Sequence, residues 1–482
     1  MTWRAGAGYK QRGLCSWQFV TMLVAMTVAM IRAKTKKFGI PRVLGCALAI
    51  LCAPAWPTHA QQAQNLKKTK RGAVPYQYVG AGGCSAPACH GSVRPMTQIR
   101  VWQNEYSIWV TQDKHSRAYS MLSGPVATRM AKILGLPAAT TAPKCLACHA
   151  IDAAPSERAR TFDISDGVSC ESCHGPASAW LGPHTTVGWT HEQSLNLGMY
   201  DTRSLVARTQ RCLECHLGTK DKYVDHEMLA AGHPDLYFEL DSFEATMPRH
   251  WKQPLEQDPW RDVRDWGTGQ AVQFSAEMKY LQDLTQREQW PEYAQLDCFA
   301  CHHSLVKTEN SWRQQRGYAG RRPGSPPWNP SRYVVFGEIA RVVDPAVAVT
   351  LDKSLAEVET EMSRVAPDRA KVAVSASDTA TALDDVAQRI ATMPYNQALT
   401  LTLMRDISAN AAGISMAGER SAEQAAMALN SLFLAYSHNV KMANESDVRS
   451  AIGGLYQQLQ SPSAYDGFQF AAQMQKVNAL LR

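Results

Sequence analysis

The chain has 482 residues, 13 of them Cys, with 50 Lys and Arg against 43 Asp and Glu and a formal charge of +7. That excess is local, because residues 1–60 hold eight of the basic side chains and none of the acidic ones, which leaves the remainder at a net charge of −1. No basic body for nucleic acid is therefore present, and the length has room for two or three domains.

Taken in chain order, residues 1–60 read as a leader. A basic stretch (Arg32, Lys34, Lys36, Lys37, Arg42) is followed by the apolar run VLGCALAILCAPAW and by Thr58-His59-Ala60. That is the order of a secretory signal peptide, with cleavage expected after Ala60 and a periplasmic mature protein. An earlier apolar run over 17–31 is short for a membrane span of about 20 residues. A true start at Met26 or Met30 removes it; the alternative is an N-terminal anchor in the inner membrane, with the body facing the periplasm. Residues 61–74 (QQAQNLKKTKRGAV) read as a linker, whose Lys67, Lys68, Lys70 and Arg71 also offer a peripheral membrane contact.

Residues 75–330 are rich in Gly, Pro, Trp and His and have few long periodic runs, so they would struggle to bury an ordinary core. From 331 to 482 the text becomes Ala-rich, Cys-free and periodic. Leu383, Val386, Ala387 and Ile390 fall on one helical face, as do Leu429, Leu432, Phe433 and Tyr436. Ser421 with Gln424 reads as a capping-box start, Ser446 as the cap of a helix carrying Val448, Ile452 and Leu455, and Pro394 as a first-turn residue. Residues 350–482 are expected to form a bundle of about five helices. The fold class expected is mainly α: a loop-rich domain, then a C-terminal α-helical bundle.

The cysteines carry the chemistry. Three (Cys15, Cys46, Cys52) lie in the leader, and the other ten form five pairs, each followed at once by His. These are Cys84-Cys89-His90, Cys145-Cys148-His149, Cys170-Cys173-His174, Cys212-Cys215-His216 and Cys298-Cys301-His302. Two thiols at this spacing add across the two vinyl groups of one haem, while the adjacent imidazole reaches the iron. Zinc has no need of a His after every pair, and a two-residue disulfide loop is a poor structural staple. The expected cofactor is five covalent haems c, the first at a C-x4-C-H site with a longer spacer. Haem attachment outside the cytoplasm agrees with the leader. Five haems would be the hydrophobic core of their region, and the 25-residue interval from His149 to His174 would hold two of them close together.

A second axial ligand on each iron would come from the remaining His. His115, His184, His226 and His233 are the candidates; the last two are seven residues apart, two helical turns, and could face one haem cluster. His191, His250 and His303 rank below them, and His438 reads as structural.

The segments YVGAGGCSAPACHGS, DGVSCESCHGPA and HEMLAAGHPDLYFEL together resemble the cytochrome c-554 type of multihaem cytochrome, over roughly residues 75–305. The resemblance implies a mainly helical, haem-packed domain with parallel and perpendicular haem pairs and mostly bis-His iron, with His115 and His233 as distal ligands. That type is the electron-acceptor class associated with hydroxylamine oxidation, a link that does not follow for this chain. This chain departs from the pattern in having five clamps where that type carries four haems, and in its helical tail.

Two functions stay open. The first is electron transfer between a redox donor and a redox acceptor, without an enzymatic step. The second is a multihaem oxidoreductase acting on hydroxylamine or a small nitrogen or sulfur oxyanion at an open haem. All five clamps end in His, where pentahaem nitrite reductases place Lys in one, which argues for the first.

Overall fold

The computed structural model describes residues 76–99, 101–252, 258–298, 301–302, 326–461 and 465–482. The leader, the linker over 61–74 and His303 lie outside the described residues. The fold is mainly helical, with two isolated β-bridges among the described residues, Tyr78 with Arg158 and Leu296 with Trp328.

Residues 76–204 hold short elements: α1 (Glu105–Gln112), α2 (Pro125–Ile133), α3 (Pro143–His149) and α4 (Cys170–His174), with two shorter helices, Ala118–Met121 and His191–Asn196, and 3-10 turns and loops around them. Their apolar clusters are small. One gathers Leu122, Leu146 and four alanines, and the other Val79, Ala177 and Trp180. So little buried apolar surface does not hold 130 residues of loop and short helix together.

Longer helices follow. Ser204 caps α5 (Leu205–His216) and Asp225 caps α6 (His226–Ala231), each by accepting a backbone N–H of the first turn. Gly232, at φ 107°, ends α6 in the left-handed conformation that glycine adopts without strain. Next come α7 (Leu240–Thr246) and α8 (Arg261–Leu284), then α9 (Ser331–Val334) and α10 (Phe336–Val343). The remainder is α11 (Pro345–Met362), α12 (Arg369–Thr392), α13 (Gln397–Ala409), α14 (Ala411–Met416), α15 (Glu419–Asn439), α16 (Glu445–Gln458) and α17 (Gly467–Leu480). Among the described residues the bundle thus has seven helices after residue 344 where about five were expected.

One core runs from Leu213 to Leu481. Helix α8 precedes the fifth clamp in sequence yet lies at the centre of this core, packed mainly along α12, with Trp266, Phe274, Met278 and Leu281 fully buried. Two glycines make that packing close. A Cβ on Gly267 would sit 2.7 Å from Ile339 Cδ1, and one on Gly269 2.6 Å from Leu240 Cβ.

The apolar stripes over 383–390 and 429–436 are buried. The expected helix starts are displaced. Ser421 and Gln424 lie inside α15, which begins at Glu419, because Gln424 is drawn into the core to donate to Phe238 O. Asn444, not Ser446, precedes α16, and Pro394 falls in the connection after α12, since Asn396 caps α13. His438 occupies the last turn of α15.

Candidate functional site

Four of the clamps sit at helical turns that fix Cys, Cys and His on one side. In α3, α4 and α5 the helix itself places the His N–H over the carbonyl of the first Cys four residues back. The fifth clamp makes the same bond, His302 N to Cys298 O at 2.8 Å. The first clamp has two more residues between its cysteines, yet a turn with Cys89 N bonded to Ala86 O (2.8 Å) takes up the excess. His90 N therefore still donates to Cys84 O at 3.2 Å. The longer spacer arrives at the same closure.

The imidazoles occur in facing pairs. His90 lies opposite His184 with ring centroids 6.2 Å apart and planes 8° from parallel. His216 faces His115 at 6.2 Å and 82°, His149 faces His233 at 6.4 Å and 90°, and His302 faces His226 at 6.1 Å and 30°. A metal–imidazole bond of about 2.0–2.1 Å, with the ring centre roughly 1.1 Å further out, puts the centroids of a trans pair about 6.2–6.4 Å apart. These rings are too far apart to stack on each other and are spaced as a single metal ion between them requires. Each pair joins one clamp His to one His from elsewhere. The remaining clamp His, His174, is half-buried; desolvation, with His250 and His90 adding to it, lowers its pKa to about 4. His216 is likewise lowered to about 4 by burial and by His115, so both rings are neutral at pH 7, the form that binds a metal.

Hydrogen bonds at Nδ1 orient the rings. Glu105 Oε2 accepts from His90 (2.9 Å) and Asp113 Oδ1 from His115 (2.9 Å). Backbone carbonyls accept from the others: Ala118 O from His149 (2.9 Å), Trp180 O from His184 (3.1 Å), Pro234 O from His233 (2.7 Å) and Pro248 O from His250 (3.2 Å). With Nδ1 occupied, Nε2 is the free lone pair. His191 is the reverse case, since its Nε2 is bonded to Asp201 Oδ1 at 3.0 Å.

The clamps also adjoin one another. The side chains of Cys84 and Cys170 interact directly, as do those of Cys148 and Cys215. Cys173 lies within electrostatic reach of Cys212 and Cys215. Helix α6 and the turn after it present His226 toward the fifth clamp and His233 toward the second. Gly232 ends the helix between them, so the two do not share one helical face.

Glu171, inside the third clamp, is 1% exposed, and its carboxylate accepts backbone N–H groups of Val79 (2.9 Å), Gly80 (2.8 Å) and Ala177 (2.7 Å). Burial holds its pKa above the ordinary carboxylate value against the pull of those amides. It ties the segment entering the first clamp to the third. Sequence reasoning missed Glu171 and Glu105, whose partners are distant in the chain, and ranked His250 low because no spacing links it to a clamp. Asp113, two residues before His115, carried the one local signal.

Thin native cores, cysteine pairs and imidazoles spaced for an intervening metal fit haem as the missing core of residues 76–250. The fold and site define a c-type cytochrome, with covalent haem and redox proteins as partners. Residues 83–175, about a fifth of the chain and spanning the first three clamps, match the family model for cytochrome c554 and c-prime; this stretch is a cytochrome c-554-type domain. Comparison with curated proteins and with solved structures gives no match.

Proposed function

We propose that the protein is an exported, periplasmic electron carrier with five covalent haems, each iron held between two His. The observation that carries this reading is the set of four imidazole pairs at 6.1–6.4 Å, each joining one clamp to one distal His. Cys84 and Cys89, Cys145 and Cys148, Cys170 and Cys173, Cys212 and Cys215, and Cys298 and Cys301 would hold the haems. His90 and His184 would bind the first iron, His149 and His233 the second, His174 and His250 the third, His216 and His115 the fourth, and His302 and His226 the fifth. Closed on both faces, each site exchanges electrons and binds no substrate. Haem supplies an iron that cycles between ferric and ferrous states.

The contacts between clamps support a chain of sites in the order first, third, fourth, second, fifth, with α6 bridging the last two. Glu105 and Asp113 hold the imidazole rings of His90 and His115, so little reorganisation accompanies each electron. Export rests on the leader and on haem attachment outside the cytoplasm. No helix among the described residues is long and apolar enough to cross a membrane. Enzymatic action on hydroxylamine or a small oxyanion would need an open iron, and the third site, whose His174 and His250 make no close ring pair, is where it would lie.

Spectroelectrochemistry of the full-length holoprotein tests the proposal. Reversible uptake of five electrons per chain, with no turnover of nitrite or hydroxylamine, is expected. Catalytic current with either would overturn the carrier reading.

A further inference from the structure

We propose that Glu277 is a proton-binding site that couples electron uptake to proton uptake, a role that rests on the five-haem reading above. Glu277 lies on α8 amid fully buried Phe274, Met278 and Leu281, and its side chain lines a polar cavity of about 50 Å³, room for a few waters. Residues next in sequence to three of the proposed haem sites line that cavity. Leu217 follows His216, Asp235 comes two residues after His233, and Ala294 and Gln295 precede Cys298.

The charged groups facing Glu277 come from every element around it. Arg332 of α9 donates to Leu236 O (2.9 Å) and Phe238 O (3.2 Å). Arg420 of α15 pairs with Asp235 and donates to Ala294 O (2.9 Å), while its Nη2 is buried without a protein partner. Arg420 lies within electrostatic reach of both Glu277 and Cys298. Tyr280 shares the wall, and Glu423 of α15 acts on the same two guanidiniums. Glu277, Asp235 and Glu423 thus face two guanidiniums, with Glu419 beside Glu423, an excess of negative charge that the positive charge of a nearby ferric haem would offset and that a ferrous one would leave to a proton. Asp235 is held by Arg420, and Glu423, pushed up to about 7 by burial and by Glu419, stands outside the cavity, so Glu277 is the carboxyl that cavity waters reach and Glu423 the control. Burial pushes Glu277 above the ordinary carboxylate range, and Arg332 and Arg420 draw it back.

The step balances simply. One electron from the redox partner reaches a bordering haem, and one proton from solvent, passed through the cavity waters, forms an O–H bond on the Glu277 carboxylate. Reoxidation reverses both, so the buried region keeps its net charge.

Midpoint potentials of the full-length holoprotein, measured against pH for the wild type, Glu277→Gln and Glu423→Gln, test the site. In the wild type one wave is expected to fall with rising pH by up to about 59 mV per unit, one proton per electron. Glu277→Gln removes that slope and Glu423→Gln keeps it. A wild-type potential independent of pH, a slope retained in Glu277→Gln, or one lost only in Glu423→Gln would overturn the proposal. Should Glu277→Gln fail to accumulate, redox-difference infrared spectra of the wild type decide: a protonated-carboxyl band appearing on reduction and shifting in D₂O supports the site, and its absence refutes it. A haem count on the same samples separates this outcome from failure of the five-haem reading, since a count below five contradicts the latter while the slope still reports on the proton.

Discussion

Replacing Glu171 by Ala removes the buried carboxylate that ties the approach to the first clamp directly into the third. Its two oxygens accept three backbone N–H groups at 2.7–2.9 Å in a position 1% exposed. Each buried N–H left unpaired costs about 1–3 kcal/mol, so the alanine variant is expected to lose about 3–6 kcal/mol once some water has entered. Glu171→Gln grades the effect. Its carbonyl can keep the bonds to Val79 and Ala177, but its amide group meets the N–H of Gly80 donor to donor, so about 1–3 kcal/mol is lost. Thermal unfolding of the holoprotein, followed by circular dichroism and by the haem absorption, measures both. The predicted ranking is wild type above Gln above Ala, with a drop of roughly 10 °C for Ala. Equal melting temperatures for all three, or a glutamine variant as unstable as the alanine one, would refute the reasoning.

Three further outcomes are expected. The carboxylates behind His90 and His115 raise ligand basicity and favour ferric iron, so Glu105→Gln and Asp113→Asn should each raise one midpoint potential on the order of tens of mV; unchanged potentials would contradict this. Imidazole planes crossed at 82° and 90° leave the iron orbitals nearly degenerate, whereas planes at 8° split them. Paramagnetic resonance should therefore show two strongly anisotropic low-spin signals beside at least one ordinary rhombic one. Asp241, half-buried beside the buried Glu239, is pushed up to about 8 by desolvation and by the Glu239 carboxylate, far above its unfolded value of 3.8. Its contribution to stability is whole below pH 3.8 and lost as pH rises through 8, so Asp241→Asn should raise the melting temperature at about pH 9 and leave it unchanged near pH 4, with equal effects at both contradicting the shift.

The clamps were legible because covalent attachment needs Cys, Cys and His within a few residues, whatever the fold. The candidate distal residues His115, His184, His226 and His233 were legible as spare histidines, but their pairing was not. His115 follows the first clamp in sequence and faces His216 of the fourth, a contact made only when α5 folds back over the loops. Gly232 sends His226 and His233 to different clamps, where an uninterrupted helical period would have aligned them. In the C-terminal bundle the buried stripes followed the helical period directly. Helix α8 was hidden because Thr268, Gln270 and Gln273 are buried with its apolar residues and two glycines permit the close approach. Gln424 misled for the same reason, since its amide is spent on Phe238 O in the core, while Ser421, one turn into the helix, bonds back to Ala417 O.

The central claim, five haems each closed by two imidazoles, is tested most directly by a pyridine haemochrome count per chain together with low-temperature paramagnetic resonance of the oxidised holoprotein. Five haems, all low-spin, are expected. A high-spin ferric signal would contradict the claim by opening one iron to substrate, and a count of four would contradict it at the Cys84–Cys89 clamp.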